Sequence, residues 1–363
     1  MDQDIPHSHK QSCWTNFRKL FIVLLLSCCF FLFFWNINIP YTVSMTGGDI
    51  FVNNVSMNNI TGLVFLKKIY NKLVLTTPSP HINPHDFGYI ILEKDTCKTN
   101  NKSVFLAVIA CVAPSNFRQR MTIRETWGSV AKTNREIALV FMLGKTSDSS
   151  IQQEILNESN FYHDIIQEDF VDSYRNLSYK SVAMLKWSYT HCPSAKYVLK
   201  ADDDMFVNLE YLLNVLKHKR LKDTVIGMQI TGARPIQEKS SKWYTPKELF
   251  NGTVYPPYCS GTTYVISGDS VEKLYNASLD TPYFWLEDIF ITGICRTKAN
   301  VKISNDYGFT YDKPTASGCV FKSRITGHRY KENEIRKIWK ELKDSSISCT
   351  PSHVNTKAAL TKS

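Results

Sequence analysis

The middle of the chain alternates strand-like and helix-like segments, and this order restricts the fold more than any other feature. Strand-like segments occupy residues 104–110, 137–144, 164–170 and 197–201. The first two are continuous apolar runs, as expected of strands buried on both faces. Segments with helical spacing lie between them, at 118–127, 149–157 and 176–191. The order predicts an α/β domain, a doubly wound and mostly parallel sheet with helices on both faces.

Three consecutive aspartates, Asp202, Asp203 and Asp204, directly follow the fourth strand-like segment. Because side chains alternate along a strand, Asp202 and Asp204 would share a side if the strand kept its geometry. Paired carboxylates suit a hard cation such as Mn²⁺ or Mg²⁺, and open α/β sheets bind ligands beyond the carboxyl ends of their strands. The alternatives are a solvated acidic turn or a cap for the helix that begins near Asn208.

Two groups of charged residues follow other strands and suit a diphosphate-containing ligand. Arg120 and Arg124 are spaced i, i+4 on a helix just after the first strand, where cationic side chains could bind a diphosphate. Lys180 could meet a phosphate, and Asp172 a base or a ribose. The alternatives are a solvated helix face for the arginines and a glycan on Asn176.

The second half of the chain is less regular. It contains helix-like segments at 208–219, 269–279, 287–298 and 332–343, strands at 225–231 and 264–267, and a long connection at 234–263. Asp269 is the expected cap of its helix. Connections of this length in a compact domain are often functional.

Aromatic and small residues in this connection are candidates for a sugar-binding surface. Aromatic faces on a stiff loop suit the apolar face of a sugar ring. The alternative is a structural turn held by a disulfide at Cys259. The residues that would form this surface are Trp243, Tyr244, Tyr258, Ser260 and Gly261.

An acidic pair and a histidine complete the candidate site. Glu287 and Asp288 lie in an apolar setting, where burial raises a carboxyl pKa towards the range of a general base. The alternative is an ordinary acidic helix start. His328 is a candidate third metal ligand, although a single histidine is more often a surface or capping residue.

The amino-terminal region has the layout of a membrane-anchored lumenal protein. Residues 21–39 form an apolar stretch of nearly membrane-spanning length, preceded by basic residues. We expect a cytoplasmic tail at 1–20, an uncleaved signal anchor at 21–39, a lumenal stem at 40–100, a catalytic domain at 101–345 and a tail at 346–363. A cleaved signal peptide is the alternative. Seven N-x-[ST] sequons after the anchor agree with a lumenal body.

The charge distribution of the chain argues against a nucleic-acid partner, and its cysteine content predicts disulfides. The net charge is +10, but without a long basic run or a zinc-finger array nucleic acid is not an expected partner. Seven of the ten cysteines follow the anchor, so several disulfides and at least one unpaired thiol are expected. A homo-oligomer is left open.

Several short motifs, in order over about residues 100–345, resemble the animal β-1,3-galactosyltransferase family of Golgi type II enzymes. That family also includes β-1,3-N-acetylglucosaminyltransferases. The ordered set is specific, although each motif alone is weak, and Thr263 departs from the glycine common at that position. The motifs are Arg120-x₃-Arg124-x-Thr126-Trp127, Phe141-Met142-Leu143-Gly144, Asp169-Phe170-x-Asp172-x-Tyr174-x-Asn176-Leu177-x₂-Lys180, Asp202-Asp203-Asp204-x-Phe206-Val207-Asn208, Ser241-Lys242-Trp243-Tyr244, Tyr255-Pro256-Pro257-Tyr258-Cys259-Ser260-Gly261 and Glu287-Asp288.

The resemblance implies a GT-A fold and an inverting transfer of galactose from UDP-galactose to the 3-hydroxyl of an acceptor sugar. Asp202 and Asp204 would frame Mn²⁺ (or Mg²⁺), with Asp204 the direct ligand and His328 joining it. Asp288 would act as base, oriented by Glu287. The residues expected to contact the donor are Arg120, Arg124, Asp172, Lys180, Asp202 and Asp203. The acceptor would bind at the sugar-binding candidates Trp243, Tyr244, Tyr258, Ser260 and Gly261. The alternatives are an N-acetylglucosaminyltransferase on the same fold and a non-catalytic lectin-like or chaperone membrane protein.

Overall fold

The computed structural model describes residues 42–46, 49–53, 81–98 and 104–349. The chain divides into two units, Met1–Pro78 and Ser79–Ser363. In the first, β1 (Thr42–Thr46) pairs antiparallel with β2 (Asp49–Asn53), within the predicted stem where no strand was expected. Within the described residues, no helix combines the length and apolar character needed to cross a membrane, and the predicted anchor at 21–39 lies outside them.

The second unit is built on an eight-stranded mixed sheet. Its spatial order is β11-β9-β10-β7-β4-β5-β6-β3, and the central strands β7, β4, β5 and β6 are parallel. A short pair, β8 with β12, lies outside this sheet. The strands are β3 (Tyr89–Ile91), β4 (Leu106–Cys111), β5 (Ile137–Lys145), β6 (Ile165–Val171), β7 (Tyr197–Asp202), β8 (Phe206–Val207), β9 (Thr224–Ile230), β10 (Tyr258–Ser267), β11 (Lys302–Asn305) and β12 (Thr326–Gly327).

The helices between these strands agree closely with the sequence pattern. They are α1 (Phe117–Glu125), α2 (Val130–Thr133), α3 (Ser149–Tyr162), α4 (Leu177–His191), α5 (Leu209–Lys219), α6 (Gly268–Leu279), α7 (Arg296–Lys298), α8 (Gly318–Phe321) and α9 (Glu332–Lys343). The predicted helix at 287–298 is instead a π-helix, Ile289–Cys295, continued by α7.

Two hydrophobic clusters lie on opposite faces of the sheet. On β4 the side chains alternate between them, since Ile109 packs in one cluster and Val108 in the other. Helices α4 and α6 cover the first face, whereas α1, α5 and α9 cover the second. The predicted α/β class, a mostly parallel sheet with helices on both faces, is confirmed, and the arrangement agrees with the expected GT-A type.

The chain crosses over at β4, which places the site. From β4 it proceeds to β5 and β6 on one side, and then returns to β7 on the other. Such reversals leave a crevice beyond the carboxyl ends of the two central strands. Cys111 at the end of β4 is in register with Asp202 at the end of β7, so the aspartates lie at this crossover.

The structure corrects two details of the second half. Strand β10 begins at Tyr258 and not at residue 264, and its register shifts between Cys259 and Tyr264. The sequence did not indicate this first part of the strand because Gly261 and the preceding prolines are more typical of turns. Helix α6 has Ser267, not Asp269, at its N-cap. Asp269 lies in the first turn, where it accepts a 2.6 Å hydrogen bond from the Ser267 hydroxyl.

Two disulfides extend the second unit beyond the predicted domain limits. The Cys97–Cys192 bond attaches residues 81–98, which also contribute β3, although the sequence assigned them to the stem. The Cys319–Cys349 bond lies partly in the predicted tail. Cys111, Cys259 and Cys295 are unpaired and buried, so the turn at Cys259 is not held by a disulfide.

Candidate active site

The aspartate triplet does not continue the strand. β7 ends at Asp202, and Asp203 and Asp204 lie in a turn, so the expected alternation of faces is wrong for the last two carboxylates. Asp203 accepts a 2.7 Å hydrogen bond from the Asn116 amide, and Asp204 lies 3.2 Å from Nε2 of His328. The three carboxylates therefore have separate partners, which relieves the repulsion between neighbouring charges.

Asp204 and His328 form a pair suited to a divalent cation. No group of three or more His, Cys, Asp or Glu side chains in the described part of the chain is arranged around a common metal position. A carboxylate oxygen and an imidazole nitrogen that approach each other to 3.2 Å do fit two ligands of Mn²⁺, with phosphate oxygens and water supplying the others. The Asp204–His328 pair thus fits a divalent cation that takes its remaining ligands from outside the chain.

Lys200 connects the aspartate triplet to the acidic pair. Its side chain is 5% exposed, and its Nζ donates to a carboxylate oxygen of Asp202 and to the carbonyl oxygen of Gly261. The same nitrogen lies 3.7 Å from Oε2 of Glu287. Burial alone would lower the pKa of Lys200, but the charges of Asp202 and Glu287 outweigh it and raise that pKa. Lys200 is therefore a buried cation shared by two acidic groups.

The acidic pair divides into a buried and a partly exposed carboxylate. Glu287 is buried, and its Oε1 accepts hydrogen bonds of 2.7 Å from Ser181 and 2.5 Å from Tyr264. Asp288 is partly exposed, at the N-cap of the π-helix, and accepts backbone N–H groups of Ile289 at 2.9 Å and Gly261 at 3.2 Å. Asp288 thus presents a fixed carboxylate that a ligand can reach.

Burial alters the acidity of these groups. Desolvation by the surrounding protein raises the pKa of Asp202 to about 6, against the attraction of Lys200. Desolvation, with the neighbouring charge of Glu287, likewise raises the pKa of Asp288 to about 6. For His328, burial acts to lower the pKa, but the contact with Asp204 outweighs it and raises that pKa. A carboxylate with a pKa near 6 is a stronger base than an exposed aspartate and is still ionised at neutral pH.

Arg120 and Arg124 lie in a buried ion-pair network instead of facing a ligand. Their side chains are 0% and 3% exposed. Both guanidinium groups bind Glu158, at 2.5 and 2.6 Å, and Arg124 also pairs with Asp164 at 2.8 Å. The predicted contact with UDP needs donor groups that these carboxylates already occupy, so we assign the arginines a structural part.

Asp172 and Lys180 come together as a buried pair. Lys180 Nζ lies 2.8 Å from Asp172 Oδ2 and donates to the carbonyl oxygen of Val112, just beyond the end of β4. Asp172 also accepts the backbone N–H of Gly144 at 2.7 Å. Asn176 donates to the carbonyl oxygen of Val171, so its amide is engaged within the chain. The pair closes the carboxyl ends of β4 and β5 and borders the site without an exposed charge.

The acceptor candidates separate into exposed and buried residues. Trp243 is 45% exposed, and its indole nitrogen donates a 3.2 Å hydrogen bond to the hydroxyl of Tyr174. Tyr244 is partly exposed, whereas Tyr258 and Ser260 are buried in β10. Burial raises the pKa of Tyr258, and the negative charge of Asp288 raises it further. Gly261 approaches the acidic pair closely.

The sequence analysis missed several residues that hold the site together. A lysine within an apolar strand just before three aspartates was a usable signal for Lys200. Nothing in the sequence pointed to Asn116, Ser181 or Tyr264, because their partners lie far along the chain. Tyr174 was noted only as part of a motif, but it lies where the connection at 234–263 meets the site.

Comparison with solved structures finds weak likenesses, among them likenesses to two glycosyltransferases. One is a galactosyltransferase, LgtC, in complex with donor and acceptor sugar analogues, at 10% identity and a TM-score of 0.34, covering 68% of this chain and 97% of that one. Another takes part in glycosylation of the major capsid of the virus PBCV-1, at 8% identity and a TM-score of 0.35, covering 65% and 98%.

Sequence comparison identifies the family. The fold and the site define an α/β protein with an acidic cluster at the carboxyl edge of a mostly parallel sheet. The galactosyltransferase family model matches residues 118–307. Human beta-1,3-galactosyltransferase 1 is 38% identical over 265 residues, covering 72% of this chain and 80% of that protein. Human beta-1,3-galactosyltransferase 2 is 34% identical over 334 residues, covering 89% and 78%. The chain belongs to the galactosyltransferase family.

Proposed function

We propose that this protein transfers galactose from UDP-galactose to the 3-hydroxyl of an acceptor sugar on a glycoprotein or glycolipid, forming a β-1,3 linkage. Family membership and the names of the relatives support galactose transfer. The observation that carries the mechanism is the position of Asp288. Its carboxylate is fixed by two backbone N–H groups, partly exposed, and linked through Glu287 and Lys200 to the aspartate triplet.

Asp288 is the proposed general base of an inverting displacement. Its carboxylate accepts the proton of the acceptor 3-hydroxyl while that oxygen forms a bond to the anomeric carbon of galactose. The bond between this carbon and the UDP oxygen breaks on the opposite face, and its electron pair leaves with UDP. Glu287 positions the base, since Ser181, Tyr264 and Lys200 fix Glu287 beside it.

Asp204 and His328 would hold a divalent cation, Mn²⁺ or Mg²⁺, and Asp202 would line the same position. When bound, the cation would neutralise the charge that develops on the departing UDP. Asp203 and the nearby Asp172–Lys180 pair would shape the donor side of the site. Because Asp204 supplies the carboxylate next to His328, Asp204→Ala should remove the metal dependence of UDP binding. Metal-dependent binding that persists in this variant would contradict the assignment.

We also propose that this chain is a type II membrane protein of the Golgi apparatus and that its catalytic domain is lumenal. The apolar stretch at 21–39, the preceding basic residues and the sequons support this arrangement. Cys97–Cys192 and Cys319–Cys349 agree with an oxidising compartment. Protease protection of sealed Golgi vesicles tests the topology, and cleavage of the carboxyl-terminal domain without detergent would contradict it.

A panel of UDP-sugars, used with the purified lumenal domain and mixed acceptor glycans, tests the activity. We expect transfer from UDP-galactose and a β-1,3 linkage in the product by NMR spectroscopy. Transfer from UDP-N-acetylglucosamine instead would favour the N-acetylglucosaminyltransferase alternative. If no UDP-sugar is either transferred or hydrolysed, the enzymatic proposal is overturned and a lectin-like or chaperone protein is favoured.

A further inference from the structure

We propose that an aromatic platform beside Asp288 is a subsite for an anionic sugar of the acceptor glycan. The platform consists of the rings of Tyr174, Trp243 and Trp285. The cationic groups of Arg175 and Lys242 make cation–π contacts with these rings. This inference rests on the proposed function, because it names the class of acceptor that the same site would take. A sulfated, sialylated or uronic-acid-containing glycan has the required chemistry.

The three aromatic rings come from separate parts of the chain and meet at one place. Trp243, in the connection at 234–263, donates its indole N–H to the hydroxyl of Tyr174 at 3.2 Å. The ring centroids of Tyr174 and Trp285 are 6.2 Å apart, at an interplanar angle of 60°. Tyr174 and Trp243 are 50% and 45% exposed. Exposed aromatic faces of this kind suit a sugar ring, which stacks its apolar face on them.

Two cations cover the same aromatic surface. The guanidinium carbon of Arg175 lies 3.9 Å from the ring centroid of Trp285. Lys242 Nζ lies 4.5 Å from the ring centroid of Trp243 and 5.7 Å from that of Tyr174. Neither cation forms an ion pair with a carboxylate in the part of the chain that the structure describes. Their charges are available to a ligand, in contrast to the fully paired guanidinium groups of Arg120 and Arg124.

The indole nitrogen of Trp285 is an independent sign of a polar ligand. Trp285 is 5% exposed, and its Nε1 is buried without a hydrogen-bond partner among the described residues. An indole N–H can only donate, so it needs an acceptor oxygen. Buried donors are nearly always paired in native structures. An oxygen of a bound glycan would supply this acceptor once the side chains that cover the nitrogen move aside, because the nitrogen has almost no exposed surface.

The location favours the acceptor glycan over the donor. Trp285 directly precedes Leu286 and the acidic pair, so the platform adjoins the proposed base. Desolvation raises the pKa of Tyr174, and the negative charges of Asp288 and Asp202 act in the same direction. An anionic group would be repelled from these carboxylates and attracted to Arg175 and Lys242. The anion therefore belongs on a sugar next to the one that receives galactose.

A pair of acceptors that differ only in charge tests the subsite. We would measure kcat/KM for neutral N-acetyllactosamine-based glycans and for the same glycans carrying sulfate or sialic acid. The wild-type protein should prefer a charged form, and this preference should decrease as salt screens the charges. The double variant Arg175→Gln/Lys242→Gln should lose about 10-fold in kcat/KM for the charged form, through KM, with little change for the neutral form. Lys247→Gln, an exposed lysine of the same connection, is the matched control.

Three results would overturn the subsite. One is equal use of neutral and charged acceptors by the wild-type protein, and another is an equal loss for both acceptors in the double variant. The third is weaker binding of UDP with Mn²⁺ in the double variant, which would assign the cations to the donor diphosphate. Failure of the proposed function is separable, because calorimetric binding of the charged and neutral glycans without any donor reports on the platform alone. Equal affinity there would overturn the subsite whether or not transfer occurs.

Discussion

Lys200 forms an ion pair with Asp202 and lies 3.7 Å from Glu287, so one buried cation joins the two acidic halves of the site. Asp202 ends β7, whereas Glu287 precedes the π-helix, and the two approach from different elements. Without the lysine, the buried Glu287 and the partly exposed Asp202 would both lose their compensating charge. The lysine thereby lets one small region hold a cation-binding group and a base.

Replacing Lys200 should destabilise the fold and the site together. Removal of one partner from a buried charge cluster leaves the others uncompensated, so Lys200→Met should cost about 3–5 kcal/mol in the free energy of unfolding. Lys200→Arg should recover part of the loss because it keeps the charge. Urea denaturation measures both. Lys337→Met is the control, since Lys337 is exposed on α9. Equal stability of Lys200→Met and the wild-type protein would contradict the bridging role.

Gly261 should not tolerate a larger side chain. A Cβ atom there would lie 3.1 Å from Cβ of Asp288 and 3.1 Å from Oε2 of Glu287. Gly261→Ala should therefore displace the base and lower kcat by about 10-fold or more, because small misplacements at a reacting centre are costly. Gly88→Ala is the matched control, since a Cβ atom at Gly88 would meet nothing within 4 Å. If both variants retain full kcat, a side chain at Gly261 does not displace the base.

The activity should decline in acid near the pKa of Asp288. Burial, with the charge of Glu287, raises this pKa to about 6. Only the ionised carboxylate can accept a proton, so kcat/KM should rise with pH through about 6 and then level off. The measurement is a pH profile at saturating Mn²⁺, with circular dichroism recorded over the same range. An acid limb near 4, the value for an ordinary aspartate, would show that burial does not affect the base.

The disulfides should differ in their contribution to stability. Cys97–Cys192 spans 95 residues and Cys319–Cys349 spans 30. Because a longer closed loop restricts the unfolded chain more, Cys97→Ser/Cys192→Ser should lose about 1 kcal/mol more stability than Cys319→Ser/Cys349→Ser. Chemical denaturation of the two double variants compares them. The opposite ranking would indicate that local packing around each disulfide determines its contribution to stability, and not the restriction of the unfolded chain.

The sequence predicted the helices and strands better than the contacts that side chains make between them. Apolar runs and helical spacing placed the central strands and helices within a few residues, because local periodicity determines them. The i, i+4 spacing of Arg120 and Arg124 likewise indicated their helix. It could not show which way they face, because Glu158 and Asp164 come from later elements. Contacts made across the fold leave no local pattern.

The same distinction applies to the site. Sequence analysis recognised three separate motifs: the aspartate triplet, the Glu287–Asp288 pair and His328. The structure places Asp204 next to His328. It also connects Asp202 to Glu287 through Lys200. Strand alternation misplaced Asp203 and Asp204 because β7 ends at Asp202 and both residues lie in the turn that follows. The start of β10 was also missed, since glycine and proline near Tyr258 are typical of turns.

The most direct test of the account is the comparison of transfer and donor binding in Asp288→Asn. The amide keeps the size of the side chain but cannot accept the proton, so kcat for galactose transfer should fall by about 10²–10⁴-fold. UDP should still bind with Mn²⁺ at the wild-type affinity, measured by calorimetry on the same preparation. Retention of most of the transfer activity, or joint loss of transfer and UDP binding, would contradict Asp288 as the base.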